Sequence, residues 1–486
     1  GLSKLQLKIG EIFMHDFLRY ILQLLQRGII FAVPVILVFA VVLAVIWLIL
    51  RKKHRPMPWK KIVLSFVLLG WFAVTVFATL LRGVPGFRQW NFHFLMAWRE
   101  AWNQFSLQAW LNVLLNVALF VPLGIVLPLL ARAFRKWYLM LAAGFGMTLF
   151  IEIAQLVTAR GIFDIDDLVT NTLGAMLGWS IIMIILTIAE RKWEKRCFTY
   201  VCVPAALVIV FSGIYIGYVV QPYGNLPDAA SVTANLDSVK WELKFNPDDM
   251  AEKAQVYKAG RLNREEAEQF GKELADKMDI EFGDVYYYDD TIIFANHSTG
   301  DFLNLNQLDG TWEYTIGREK APVYEKSLSD ISNEDVLTGL SGLGIEIPKD
   351  AQFEIQISED DGLGTASYTA EFVPVEDKLL YGTLNCNFRF ENGKTTMDRK
   401  IKNSVVELLP CSEDPIISQK QAVNELCQGH SFSGVVLEHL NAGEISILSC
   451  SLDWIADTKG FYQPVYCFEL QVGEQETIKD YIPALK

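Results

Sequence analysis

Residues 151–179 read IEIAQLVTARGIFDIDDLVTNTLGAMLGW, and this stretch decides the fold. A membrane-length apolar segment ends within it and another begins. Around the short turn between them stand Glu152, Gln155, Arg160, Asp164, Asp166, Asp167 and Asn171. A carboxylate well inside an apolar span is costly, so it faces a bundle interior with partners. Glu152 is such a carboxylate and is the first candidate for function.

The composition around this stretch is split. Residues 1–220 hold 21 Lys+Arg and 9 Asp+Glu, a net of +12. Residues 221–486 hold 22 and 47, a net of −25. The first part is membrane-like and the second an acidic chain, which argues against nucleic acid as a partner. The first apolar segment is too long and begins too late for a removable signal peptide, and Gly1 reads as other than a native start.

Six apolar segments, at about 28–50, 61–82, 109–131, 138–158, 167–190 and 198–220, are each close to the ~20 residues a bilayer requires. Basic residues orient them. The loop after the first segment carries Arg51, Lys52, Lys53, Arg55, Lys60 and Lys61. The loop after the third carries Arg132, Arg135 and Lys136, and the loop after the fifth Arg191, Lys192, Lys195 and Arg196. Such loops stay on the cytoplasmic side. The turn inside 151–179 and everything after Val220 are then expected outside. Ahead of the spans, Leu5, Ile9, Phe13, Phe17, Tyr20 and Leu24 form an apolar stripe opposite Lys4, Lys8, His15 and Arg19. That pattern predicts an amphipathic helix over 1–27, lying at the interface or packed on a soluble part. The loop 83–108 carries Phe87, Trp90, Phe92, Phe94, Trp98, Trp102 and Phe105. It predicts a re-entrant or interfacial helix that roofs or anchors the bundle.

After QPYGNLPD (221–228) the pattern changes to short strands and helices. Helices are expected at 263–278, 329–340 and 417–426, the last two opening with a serine cap. A hairpin is expected at 285–295 around Asp289-Asp290, and a strand at 465–470. The helix-then-strands cycle recurs, which predicts two or three diverged repeats of an α+β unit. The last unit, from SQKQAVNEL to FYQPVYCFEL, resembles PepSY-like and related extracytoplasmic modules of bacteria. That resemblance implies a binding or regulatory module rather than an enzyme. The cysteines Cys386, Cys411, Cys427, Cys450 and Cys467 show no C-x-x-C spacing. They read as buried free thiols, with one or two disulfides as the alternative in an extracytoplasmic setting.

The polar residues of the spans fall on matching faces. Asn112 and Asn116 are i, i+4 on the third span, followed by Pro122 and Gly124. Glu152 and Gln155 are i, i+3 on the fourth. Asp167, Asn171, Gly174 and Gly178 step along one face of the fifth, and the G-x-x-x-G pair admits a close helix neighbour. Asp167 falls in the first turn of its helix, where negative charge suits the dipole. One polar cluster in the outer leaflet is therefore expected, with Asn116, Glu152, Gln155, Arg160, Asp164, Asp166, Asp167 and Asn171 as its residues.

Four readings of this cluster compete. It is a salt-bridge network holding the turn, with Asn116 and Asn171 as interhelical hydrogen bonds. It recognises a lipid-linked headgroup. It catalyses a reaction, with Glu152 as general base. Or it holds a divalent metal on Asp164, Asp166 and Asp167. The D-x-D-D run lacks the glycine and distal glutamate of a calcium loop, so no metal and no cofactor is expected. No H-E-x-x-H, P-loop or G-x-S-x-G occurs, and GHSFSG (429–434) has the wrong spacing for a nucleophile elbow. His93, the histidine near the cluster, reads as an interfacial residue.

NVLLNVALFVPLGIVLPLL (112–130) followed by residues 151–179 resembles the VanZ-like family of bacterial membrane proteins over roughly 65–190. The family pattern pairs N-x-x-x-F-x-P-x-G with E-x-x-Q…R…D-x-D-D-x-x-x-N-x-x-G. It is matched by Asn116, Phe120, Pro122, Gly124, Glu152, Gln155, Arg160, Asp164, Asp166, Asp167, Asn171 and Gly174. Members often carry an N-x-x-P-F element in the preceding loop. Here WNFHF (90–94) has His93 where the proline would stand, so the element reads as degraded. The resemblance implies a Gram-positive-type bacterium and a link to resistance against teicoplanin-class lipoglycopeptides. The resulting expectation is a polytopic α-helical membrane domain (28–220) with an acidic extracytoplasmic α+β domain (221–486) in the cell membrane. It would bind membrane lipid and a lipid-linked peptidoglycan precursor or the lipoglycopeptide itself. The alternatives are a membrane enzyme acting on such a precursor and a sensor or scaffold acting through its ectodomain.

Overall fold

The computed structural model describes residues 41–486, apart from 43, 46, 49–50, 53–57, 82–85, 87, 192–196, 359–361 and single or paired loop positions between 251 and 475. The amphipathic helix expected at 1–27 and most of the first span expected at 28–50 lie outside the described residues. The chain divides into two compact units, one of residues 1–101 and 109–220, the other of residues 102–108 and 221–486.

Among the described residues the first unit contains five helices long and apolar enough to cross a membrane. They are α1 (Trp59–Val76, continued by a π-helical turn Phe77–Leu81), α3 (Leu107–Leu130), α4 (Trp137–Thr158), α5 (Ile165–Glu190) and α6 (Cys197–Val220). Between α1 and α3 lie strand β1 (Gln89–Asn91) and helix α2 (Met96–Gln104). Helix α5 is the centre of the bundle, with half of its most apolar window buried, whereas α6 buries none of its own.

Glycine explains the central position of α5. A Cβ on Gly174 would strike the Val117 carbonyl oxygen of α3, and one on Gly178 would strike that of Val121. From the other side, a Cβ on Gly124 would strike the Ala175 carbonyl. The two backbones touch directly, the contact small residues permit between membrane helices. Around this seam pack Phe120, Leu123, Met140, Ile151 and Trp179, all 2% exposed or less. Trp71 of α1 meets Phe120 edge-on at 5.5 Å and donates from Nε1 to the Leu119 carbonyl at 2.5 Å.

The second unit repeats one plan three times. Helix α7 (Arg264–Lys277) precedes β5 (Asp284–Tyr288), β6 (Thr291–Asn296), β7 (Asp301–Asn306) and β8 (Trp312–Thr315). Helix α8 (Asn333–Gly342) precedes β10 (Glu354–Ser358), β11 (Leu363–Val375), β12 (Lys378–Glu391) and β13 (Lys394–Asn403). Helices α9 (Gln419–Cys427) and α10 (Gly434–Leu440) precede β15 (Glu444–Ala456), β16 (Phe461–Val472) and β17 (Glu476–Pro483). The remaining strands are β3 (Lys240–Leu243), β4 (Lys253–Ala259), β9 (Val323–Tyr324) and β14 (Val406–Pro415).

The main path of the sheet runs β3-β15-β16-β4-β14-β12-β13-β8-β7-β6-β5. Asn263, Ser332 and Ser418 each begin their helix with a reciprocal capping box, which satisfies two backbone donors apiece. The strands are not all short: β11 and β12 have 13 and 14 residues. They keep pairing because a bulge between Ala370 and Val373 absorbs the register shift, with Phe372 at φ +52°. One core gathers the first two cycles, around Phe294, Tyr314, Leu340 and Phe388, and another the third, around Leu426, Phe468 and Leu470.

Candidate functional site

The turn between α4 and α5 is built by hydrogen bonds that begin in the sequence. Helix α4 ends at Ala159, which adopts φ +51° and donates its N–H to the Gln155 carbonyl. The chain then runs extended through β2 (Ile162–Asp164), and Asp164 caps α5 by accepting from the Asp166 N–H at 2.8 Å. Strand β2 pairs in parallel with β1, with Asn91 opposite Asp164.

Four helices and the aromatic loop place polar groups here. Glu152 of α4, 1% exposed, accepts from the Asp164 N–H through Oε2 at 3.0 Å. Asn116 of α3 donates to Asp167 Oδ1 of α5 at 2.5 Å. Asn91 donates to Asp164 Oδ2 at 3.2 Å, while its own Oδ1 accepts from the His93 N–H at 3.0 Å. Asp166, also 1% exposed, accepts from the backbone N–H groups of Leu95 at 2.6 Å and Ala97 at 2.9 Å. Its carboxylate thus sits on the first turn of α2, where the orphan donors and the dipole both favour negative charge.

Outside the spans, burial pushes the Asp164 carboxyl up, opposed by the Asp166 N–H and the Asn91 amide and reinforced by the Asp166 charge. Glu100 of α2 is raised for a related reason: burial first, then the charges of Asp164 and Asp166. Among the described residues no ion pair joins a basic side chain to Glu100, Glu152, Asp164, Asp166 or Asp167. The salt-bridge network anticipated around Arg160 is therefore replaced by amides and backbone N–H groups. Arg160 itself is tied through its backbone, its N–H meeting the Gln155 carbonyl at 3.2 Å. Among the described residues no three carboxylates, histidines or cysteines converge as a metal site would need.

Of the eight residues read from the sequence, the structure brings Asn116, Glu152, Asp164, Asp166 and Asp167 into this hydrogen-bonded turn. Gln155 turns away and donates to the Thr79 carbonyl at 3.2 Å. Asn171 lies deeper, donating to Thr148 Oγ1 at 2.9 Å, and its own Oδ1 is buried without a partner. Sequence reasoning did not place Asn91, Glu100 or Thr148 in the site. Asn91 had a signal, the N of WNFHF, and it works without the expected proline because its Asx-type turn onto the His93 N–H supplies the bend. Beside it Trp90, Phe92 and Phe94 are each more than half exposed, and Phe92 meets Phe163 at 5.7 Å. They form an apolar rim suited to the headgroup level of a bilayer.

The positions that converge here are those of a known pattern. Residues 39–186 match the VanZ/LLP1 family model. Over that span the helical unit is VanZ-like, and its long apolar helices are those of a multi-pass membrane protein. No curated protein matches the chain. Among solved structures, the Bacillus megaterium YpeB C-terminal domain matches at 13% identity and a TM-score of 0.20, covering 47% of this chain and 95% of that one.

Proposed function

We propose that the VanZ-like unit binds a cell-envelope ligand at the α4–α5 turn and thereby lowers the action of teicoplanin-class lipoglycopeptides at the membrane. The observation that supports this most is Glu152. It is a buried carboxylate inside an apolar helix, has no cation beside it among the described residues, and lies next to Asp164 at an aromatic rim. A purely structural carboxylate at that depth is expected to be paired.

The site offers acceptors, so its guest supplies donors. The amide, hydroxyl and ammonium groups of a lipid-linked wall precursor or of the antibiotic all qualify. The same reading puts the turn and the C-terminal unit outside the cell. The opposite end of the bundle carries Arg132, Arg135, Lys136 and Arg191, and there Arg135 pairs with Glu190 at 3.5 Å.

The test is lipoglycopeptide susceptibility in cells expressing wild type, Glu152→Gln and Asp167→Asn at equal membrane levels. Loss of protection by both variants, with detergent-extracted protein of unchanged thermal stability, is the expected result. Full protection by Glu152→Gln overturns the proposal.

A further inference from the structure

The antiparallel strands β5, β6, β7, β8 and β13 bury one face against α7 and the core, and alternation leaves the other face open. The open face carries two adjacent cross-strand rows. One runs Tyr286, Ile293, Asn304, Glu313; the other runs Ala295, Phe302, Thr315, Lys400. Together they floor a cavity of about 430 Å³ that Tyr288 and His297 complete. That volume is in the range of small-ligand sites. Four strand spacings make the floor roughly 19 Å wide, since neighbouring strands lie about 4.8 Å apart.

We infer that this face binds a neutral saccharide chain. The rings are set in advance. His297 Nε2 hydrogen-bonds the Tyr286 hydroxyl at 3.1 Å and meets Phe302 edge-on at 5.6 Å, which fixes both rings relative to the sheet. Tyr288 is 60% exposed and Tyr286 39%, so each offers a face. Flat aromatic faces stack on the C–H faces of pyranose rings, and preset rings lose little entropy on binding.

The polar lining is matched in charge. Lys400 Nζ pairs with Glu313 at 3.2 Å, and His297 approaches Asp284 at 3.8 Å. With Asn304 and Thr315 these give donors and acceptors side by side, the arrangement neighbouring hydroxyls and acetamido groups need. A strongly charged guest would leave one member of the Lys400–Glu313 pair unmatched, which disfavours it. The inference rests on the C-terminal unit alone and stands whether or not the α4–α5 turn binds a ligand.

The test is isothermal titration calorimetry of the full-length protein in detergent. The probes are the neutral oligosaccharides chitotetraose and cellotetraose. Saturable binding is expected, weakened about tenfold or more by Tyr288→Ala and restored by Tyr288→Phe, which keeps the ring. Lys400→Met weakens it as well. Absence of saturable binding overturns the inference, as does binding that Tyr288→Ala leaves unchanged. If Tyr288→Ala instead abolishes self-association of a protein that binds neither probe, the face is an interface between copies and the inference is also overturned.

Discussion

Asp166 holds the N–H of Ala97 across 69 residues of sequence, at 2.9 Å, and caps helix α2 from a different part of the chain. Its other oxygen takes the Leu95 N–H at 2.6 Å. Hydrogen bonds to a charged acceptor in a buried setting are each worth about 1.5–3 kcal/mol. Asp166→Ala is therefore expected to destabilise the helical unit by about 2 kcal/mol or more. Asp166→Asn should cost less, because one acceptor oxygen remains. Thermal unfolding in detergent measures both, and limited proteolysis should show faster cleavage before Met96 in the alanine variant. An unchanged midpoint for Asp166→Ala refutes the capping role.

The α3–α5 seam predicts a sharp contrast between glycines. At Gly174 and Gly178 an added methyl meets backbone carbonyls of α3, which cannot rotate aside. Gly174→Ala and Gly178→Ala are each expected to cost about 1–3 kcal/mol through overpacking. Gly146 of α4 has nothing within 4 Å of a new Cβ. Gly146→Ala should be neutral or stabilise slightly, since alanine is the better helix former. Melting midpoints of the three variants side by side decide this.

Helix α8 gives the acid dependence of the second unit a specific component. The Lys326 ammonium, 2.8 Å from both oxygens of Asp335, holds that carboxyl at about 2, with the Ser332 hydroxyl and N–H assisting. The folded value lies below the ordinary 3.8. The stabilisation is thus fully present above pH 4 and is lost as the pH falls toward 2. Wild type should be more stable than Asp335→Asn at pH 6, with the gap closing between pH 4 and pH 2. A gap that stays constant over that window contradicts the assignment.

The cysteines report both burial and sidedness. All six described cysteines are free. Burial pushes the Cys386 and Cys450 thiols up to about 12 and Cys427 to about 11, so little thiolate forms at pH 8. Cys411 on β14 is exposed. A charged, membrane-impermeant maleimide should label Cys411 in intact cells and leave Cys386 unmodified until the protein is denatured. Labelling of Cys411 only after cell lysis places the C-terminal unit inside and refutes the proposed orientation.

Much of the site was legible because it is local. Glu152, Asp164, Asp166 and Asp167 lie within 16 residues, and the helix period sets their faces. The cap from Asp164 to Asp166 spans only two residues, yet the D-x-D-D run was weighed as a metal or ion-pair site and the cap was not read from it. What the sequence left open concerned partners at long range. Arg160 looked like a counter-ion because it is close in sequence to three aspartates. The left-handed bend at Ala159 and the extended β2 instead bring backbone N–H groups and Asn91 to those carboxylates. Gln155 shares a face with Glu152 on paper, but the π-helical turn at the end of α1 offers it the Thr79 carbonyl.

Apolar length, the basic loops and the helix-then-strands cycle are properties of consecutive residues. By themselves they predicted a helical membrane unit followed by an α+β unit of two or three helix-then-strands cycles. The serine cap expected at 417–426 is Ser418, whereas the helix expected from Ser329 begins after a short 3-10 turn with Ser332 as its cap, and the cap by Asn263 was not read. Only the tertiary structure decided that Asp166 serves a helix 69 residues away, that Gly174 and Gly178 meet α3 in particular, and that Tyr286, Phe302 and Lys400 share one open face. Those relationships depend on strand register and on which backbones can approach. Both are set by packing of the whole chain, which no local pattern encodes.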